Sequence, residues 1–191
     1  MDGNAKFILI AITRTDNVAD EALIITRLLE NGIDFVHIRK PESTLREVKN
    51  LIEDIPYKLR CRLKLHGHFE LLNEFNLGGA HINSRCPVAP ASAANVSRSC
   101  HSLEEVNSCL NSGMQYVTLS PIYNSISKEG YHSAFKPDDL RGKIDGKNVI
   151  ALGGVTPDKF PELRNLGFAG AAMLGCVWSD TDTFLRNLKN I

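Results

Sequence analysis

Val149-Ile-Ala-Leu-Gly-Gly-Val155 decides the fold. Apolar, β-prone residues run into two glycines, and Thr156-Pro157 opens a helical pattern that reaches Leu166. A strand buried on both faces that passes directly into a helix is one βα unit. The same change of period repeats in both directions. Toward the N-terminus the spacing predicts strands over 7–12, 34–39, 62–66, 79–83, 96–100 and 116–122, and toward the C-terminus over 171–177. Between them, helical spacing covers 19–30, closed by Asn31-Gly32, and 45–55, capped by Thr44 and stopped by Pro56. Further helices are predicted over 68–75, from Ser102 with Glu105 three residues on, over 137–144 and over 181–188. The fourth connection holds Pro87, Pro90 and a run of Ala and Ser, and reads as a turn or loop.

Eight βα units in 191 residues leave about 24 residues per unit. Strict alternation implies a parallel sheet, because parallel strands need a crossover between them. The predicted fold is therefore a single (β/α)8 TIM barrel over 1–191 with short helices and a shortened fourth connection. A doubly wound open sheet is the alternative. It places a Gly-rich phosphate turn after its first strand, where this chain has Thr13-Arg14-Thr15-Asp16.

Composition narrows the function class. Twenty-two Lys+Arg balance twenty-two Asp+Glu, which argues against a nucleic-acid partner. The apolar run 7–12 is too short to span a membrane and lacks a signal-peptide cleavage site, so the expected location is the cytoplasm. Five cysteines, with no Cys-x-x-Cys, point to reduced thiols rather than disulfides or structural zinc. Oligomeric state is left open, a homo-oligomer included.

Barrel sites lie at the carboxyl ends of the strands, and the loops after strands seven and eight commonly bind phosphate. Gly153 and Gly154 end strand seven, and Gly175 stands at the corresponding height on strand eight. Backbone amides there can approach an anion closely, so a small phosphorylated substrate is the expected ligand.

Beyond these features, Phe35-Val-His-Ile-Arg-Lys40, Gly79-Ala-His-Ile-Asn83, Arg98-Ser-Cys-His-Ser-Leu-Glu-Glu105, Tyr116-Val-Thr-Leu-Ser-Pro-Ile-Tyr123 and Val149–Val155 occur in order and at characteristic spacing. From Phe7 to Val177 the chain resembles the thiamine-phosphate synthase superfamily, which includes the TenI-type thiazole tautomerases. The synthases join pyrimidine pyrophosphate to thiazole phosphate with magnesium. The resemblance implies pyrophosphate binding by Arg39, Ser99 and Lys128, with Lys40 a substitute for a lysine that falls on Pro41. It implies thiazole phosphate contacts from Ser125 and Ser127, a phosphate cradle at Gly154 and Gly175, and a ligand contact from His101. The synthases carry one magnesium aspartate after strand three and another after strand four. Here those positions hold Gly67 and, close by, Cys86, neither a hard oxygen ligand. The tautomerase branch uses no metal, yet its catalytic histidine falls on Pro121. The reading favoured is metal-independent, tautomerase-like chemistry with no cofactor. The alternatives are a magnesium-dependent synthase with rearranged ligands and a non-catalytic binder of thiamine-pathway phosphates.

His37 and His66 stand at strand ends where the family carries amides, and imidazoles can move protons near neutral pH. Both are expected to flank the substrate ring as the catalytic pair. His81 is expected to be a satisfied core residue, and His132 a solvated loop residue. His66-Gly-His68 lacks a third zinc ligand, and His68 is expected to point elsewhere, so no metal is assigned.

Overall fold

The computed structural model describes residues 6–124 and 135–189. Its elements follow the chain as β1 Ile8–Ile12, α1 Glu21–Glu30, β2 Phe35–Ile38, α2 Leu45–Glu53, α3 Tyr57–Arg60, β3 Leu63–Leu65, β4 Gly79–Ile82, β5 Val96–Cys100, α4 Leu103–Asn111, β6 Tyr116–Leu119, α5 Pro137–Leu140, β7 Val149–Ala151, α6 Phe160–Asn165, β8 Gly170–Met173, α7 Gly175–Ser179 and α8 Thr181–Leu188. The eight strands are all parallel and pair in sequence order, and β8 closes on β1. The predicted (β/α)8 barrel is the fold. No helix of the described residues is long and apolar enough to cross a membrane.

Outward strand positions form the larger core with the helices. Val36, Ile38, Leu63, Leu65, Val117, Leu119, Val149, Ala151, Ala171 and Met173 meet Ile25, Leu28, Ile52, Val106, Leu163 and Phe184 there. The helices that cover them start on local signals. Thr44 accepts from the Glu47 amide while the Glu47 carboxylate accepts from the Thr44 amide, a complete capping box. Ser102 and Asp180 cap α4 and α8 with their side chains, which accept from the Glu105 and Thr183 amides.

Differences from the predicted elements lie at their ends and in the connections. Strand eight stops at Met173, and Gly175 opens α7 where a strand to 177 is expected. The third connection is a 3-10 segment, Phe69–Asn73, entered through His68 in the left-handed region at φ 51°. Pro56 ends one helix as predicted, yet its fixed φ also starts the short α3. The fourth connection, 83–95, contains no helix, in line with its Pro, Ala and Ser content.

Candidate active site

Inward positions divide the barrel interior into two halves. Ile10 and Ile12 from β1, Ile150 from β7 and Ala172 from β8 make an apolar side that touches the Tyr116 ring. Strands β2 to β6 supply the polar side, with His37, Lys64, His81, Ser97 and Thr118 all buried. Strand alternation selects these residues. Register then sets His37 beside Lys64, His81 beside Ser97, and Ser97 beside Tyr116.

Hydrogen bonds satisfy most of this polar half, as a dry interior requires. His37 Nδ1 lies 2.9 Å from His66 Nε2, and His37 Nε2 lies 2.6 Å from the Tyr116 hydroxyl. His81 Nδ1 is 2.8 Å from Ser97 Oγ and its Nε2 2.9 Å from Ser99 Oγ. Lys64 Nζ donates to Gln115 Oε1 at 2.7 Å and sits 4.6 Å from the centre of the Tyr116 ring. Burial pulls the Lys64 ammonium down to about 7. Burial first, then Arg39 and Lys64, push His66 down to about 3. His37 and His81 are held well below the usual imidazole range, again chiefly by burial. Burial therefore favours the neutral form of all three imidazoles.

The ligand atoms of His37, His66 and His81 all lie within 4.8 Å of one another, close enough to surround a metal ion. Both nitrogens of His37 and of His81 are already engaged in hydrogen bonds, and His66 and His81 stack at 4.3 Å. A metal would have to displace those bonds. His68, the partner considered for His66, bonds the Ser43 carbonyl at 2.9 Å and is not part of the cluster.

Above this layer a cavity of about 790 Å³ opens at the carboxyl ends of the strands, lined among others by Arg39, His66, Arg85, Ser99 and His101. Thr13 fixes the approach of β2 by accepting from the Arg39 amide at 2.8 Å. Burial and the neighbouring Arg85 hold the Arg39 guanidinium below its ordinary value, so two cations converge on the cavity. Glu42 is the one acid among its described lining residues. Such a surface attracts an anion. Arg85 escaped the sequence reading. Its signal is its place next to Cys86, in the loop where the resemblance puts a metal ligand.

The predicted site residues separate into groups. Arg39, His66, Ser99 and His101 meet at the cavity. His37 does not reach it: its side chain is fully buried beneath His66. The pair expected to flank a substrate ring is thus one imidazole at the surface with the second behind it. Lys40 touches the cavity, but its buried ammonium is held by Glu21 at 2.7 Å and the Asp16 carbonyl at 2.6 Å. It braces the loop after β1 and has no free charge for a pyrophosphate. Gly153 and Gly154 have φ of 94° and 64°. A Cβ on Gly154 would stand 2.3 Å from the Asn124 carbonyl, and one on Gly153 2.8 Å from Pro121 Cα. Both glycines are demanded by the loop after β6. Gly175 is the first residue of α7. Ser125, Ser127, Lys128 and His132 lie outside the described residues.

Magnesium does not fit the positions the resemblance assigns to it. A Cβ at Gly67 would come 3.7 Å from Cys86 Sγ, so the two positions face each other as two ligands of one ion would. Neither supplies an oxygen, and a thiol is a poor ligand for so hard a cation.

The model for thiamine monophosphate synthase (TMP-TENI) matches residues 9–177. The thiamine-phosphate synthase of Dictyoglomus turgidum is 26% identical over 179 residues, covering 88% of this chain and 80% of that protein. The crystal structure of thiamine phosphate pyrophosphorylase from Bacteroides thetaiotaomicron superposes with a TM-score of 0.84 at 36% identity, covering 96% of both chains. The thiamine phosphate pyrophosphorylase of Pyrococcus furiosus, 17% identical with a TM-score of 0.77 over 96% of this chain and 94% of that one, shares the fold. The chain belongs to the thiamine monophosphate synthase family.

Proposed function

We propose that this protein binds a thiazole phosphate or thiamine phosphate at the carboxyl face of the barrel and moves a proton on it without magnesium. One observation carries the reading: Gly67 and Cys86 face each other where the family's two metal carboxylates are expected, and Arg39 and Arg85 supply fixed positive charge in the same cavity. Fixed guanidinium groups can hold a phosphate in bidentate fashion and need no ion between. His66 borders that cavity and, as a neutral imidazole, offers a lone pair to an acidic ring proton. Arg39 and Arg85 orient the anion, Ser99 and His101 add polar contacts, and Leu152 and Leu174 give the ring an apolar wall.

The relatives favour a second reading. Their names are those of synthases and pyrophosphorylases, and one is 36% identical over nearly the whole chain. That reading requires magnesium-dependent joining of pyrimidine pyrophosphate to thiazole phosphate. The test is a pair of assays on the purified chain. Proton exchange and tautomer interconversion of thiazole phosphate are followed by NMR in deuterated buffer with EDTA, and thiamine phosphate formation is followed with magnesium. The expected result is exchange that EDTA leaves unchanged and no magnesium-dependent product. Steady thiamine phosphate formation replaces this reading by the synthase. Tight phosphate binding without either turnover replaces it by a non-catalytic binder.

A further inference from the structure

A proton moved on a substrate leaves one atom while another proton arrives elsewhere, so a base at His66 calls for a group that supplies the second proton. Two further imidazoles line the cavity, His68 and His101. His68 shares the loop after β3 with His66 and is tied to the Ser43 carbonyl at 2.9 Å. His101 comes from the end of β5, with β4 between it and β3. Neighbouring strands stand about 4.8 Å apart, so rings reaching in from β3 and β5 start roughly 10 Å apart and can flank one five-membered ring.

His101 is held from two sides. Its amide donates to Glu105 Oε2 at 2.6 Å, and Ser102 caps the helix that carries Glu105. The local run His101-Ser-Leu-Glu-Glu105 thus pins the main chain. The ring is set by β6: His101 Nδ1 lies 3.1 Å from the Ser120 carbonyl, with the Ser120 hydroxyl farther off at 3.4 Å. A carbonyl only accepts, so Nδ1 carries a hydrogen and donates it. Nε2 is then the nitrogen that loads and unloads a proton, and among the described residues it has no hydrogen-bond partner. The Nδ1–H bond survives in both protonation states, so the ring need not turn during the step.

We propose that His101 is a second catalytic residue of this site, giving a proton from Nε2 to one substrate atom as His66 takes a proton from another. It rests on the proton transfer proposed above and goes beyond a polar contact. The two environments suit the two duties. His66 lies over a dry interior that favours its neutral form, whereas His101 is exposed and water can hydrate its charged form. Arg39, Arg85, Lys40 and Glu42 are the charged side chains on the same wall, and a bound phosphate offsets the two arginines.

The proton count closes without an oxidant or reductant. A bond to hydrogen breaks at one substrate atom, its electron pair stays on the substrate, and the proton goes to His66. The His101 Nε2–H bond breaks, and a new bond to hydrogen forms at the second atom. His66 gains the positive charge that His101 gives up. Solvent in the open cavity then takes the proton from His66 and reloads His101.

The test separates contact from proton transfer. His101→Gln keeps an amide that can touch a phosphate, and His101→Asn keeps an amide nitrogen that can replace Nδ1 on the Ser120 carbonyl; neither carries a proton between atoms. Full-length variants and the unsubstituted protein are followed by NMR in deuterated buffer with EDTA. In both variants tautomer interconversion of thiazole phosphate should fall about 10²–10⁴-fold, while exchange at the atom served by His66 continues and the Kd for thiazole phosphate is almost unchanged. Imidazole ¹⁵N shifts should show His101 Nδ1 protonated throughout a pH titration and Nε2 alone changing. Interconversion that survives in both variants overturns the assignment. So does a loss accounted for by weaker binding, or a neutral His101 ring with its hydrogen on Nε2. Neither exchange nor interconversion in the unsubstituted protein would sink the functional reading and this assignment with it, whereas activity indifferent to His101 sinks this assignment alone.

Discussion

Neighbouring residues in this site carry different duties, and Arg39 and Lys40 show how. Arg39 faces the cavity beside Arg85, whereas Lys40 is locked to Glu21 with side-chain exposures of 2% and 5%. Arg85→Ala should therefore weaken thiazole phosphate binding about 10–100-fold, the worth of a charge-assisted hydrogen bond, with little change in unfolding free energy. Isothermal titration and urea unfolding check the two halves. Lys40→Ala should do the reverse. It strands a buried carboxylate and should cost about 3–5 kcal/mol of stability, while any ligand binding that survives is near normal. His66→Asn restores an amide of the kind the family places there and removes the lone pair that accepts the proton. Turnover should drop about 10²–10⁴-fold with phosphate affinity almost unchanged. Equal turnover in this variant would return His66 to a hydrogen-bonding role.

At the scale of elements, the loops after β3, β4 and β7 set what the mouth can hold. The loop after β7 packs under the loop after β6, with the Tyr123 amide on the Gly153 carbonyl at 2.9 Å and no room for a Cβ at Gly154. Gly154→Ala combines a left-handed backbone with a clash against main chain. It should cost about 1–3 kcal/mol in urea unfolding, and more if the β6 loop must shift. The loops after β3 and β4 bring positions 67 and 86 face to face. Gly67→Asp with Cys86→Asp should create magnesium affinity, measurable by calorimetry, where the unsubstituted protein shows none. A double variant that stays blind to magnesium would show that more than two carboxylates separate this site from a metal-dependent one. Ala171–Val177 is apolar throughout, and nothing in its spacing marks the turn at Leu174 that ends β8 and starts α7.

At the scale of the whole molecule, the polar half of the barrel makes stability depend on pH in a definite direction. His37, His66 and His81 bind protons far less readily in the fold than in an unfolded chain, where an imidazole titrates near about 6.5. Below that pH the unfolded state takes up more protons, so stability falls as pH falls, by up to about 1.4 kcal/mol per unit for each ring. Lys64, held at about 7 against an ordinary 10.5, adds the same sign between pH 7 and 10.5. Urea midpoints should therefore rise from pH 4 to pH 7 and continue to rise into the alkaline range. A flat profile from pH 7 to 5 would mean that the buried rings accept protons in place. The fold itself was legible in the residues, because a buried strand and a one-sided helix leave different periods and eight repeats of that change admit few closures. Arg39, His66, Ser99 and His101 were legible as a group for the same reason: strand ends in a barrel share one face. Which side chains face the cavity was not. Strand parity places His37 and Arg39 on one side without saying that His66 covers the first, and no local pattern ties Lys40 to Glu21 or brings His81 under Ser99. Those contacts join strands and loops far apart in the chain, and closure of the barrel, which sets the depth of each side chain, is what makes them.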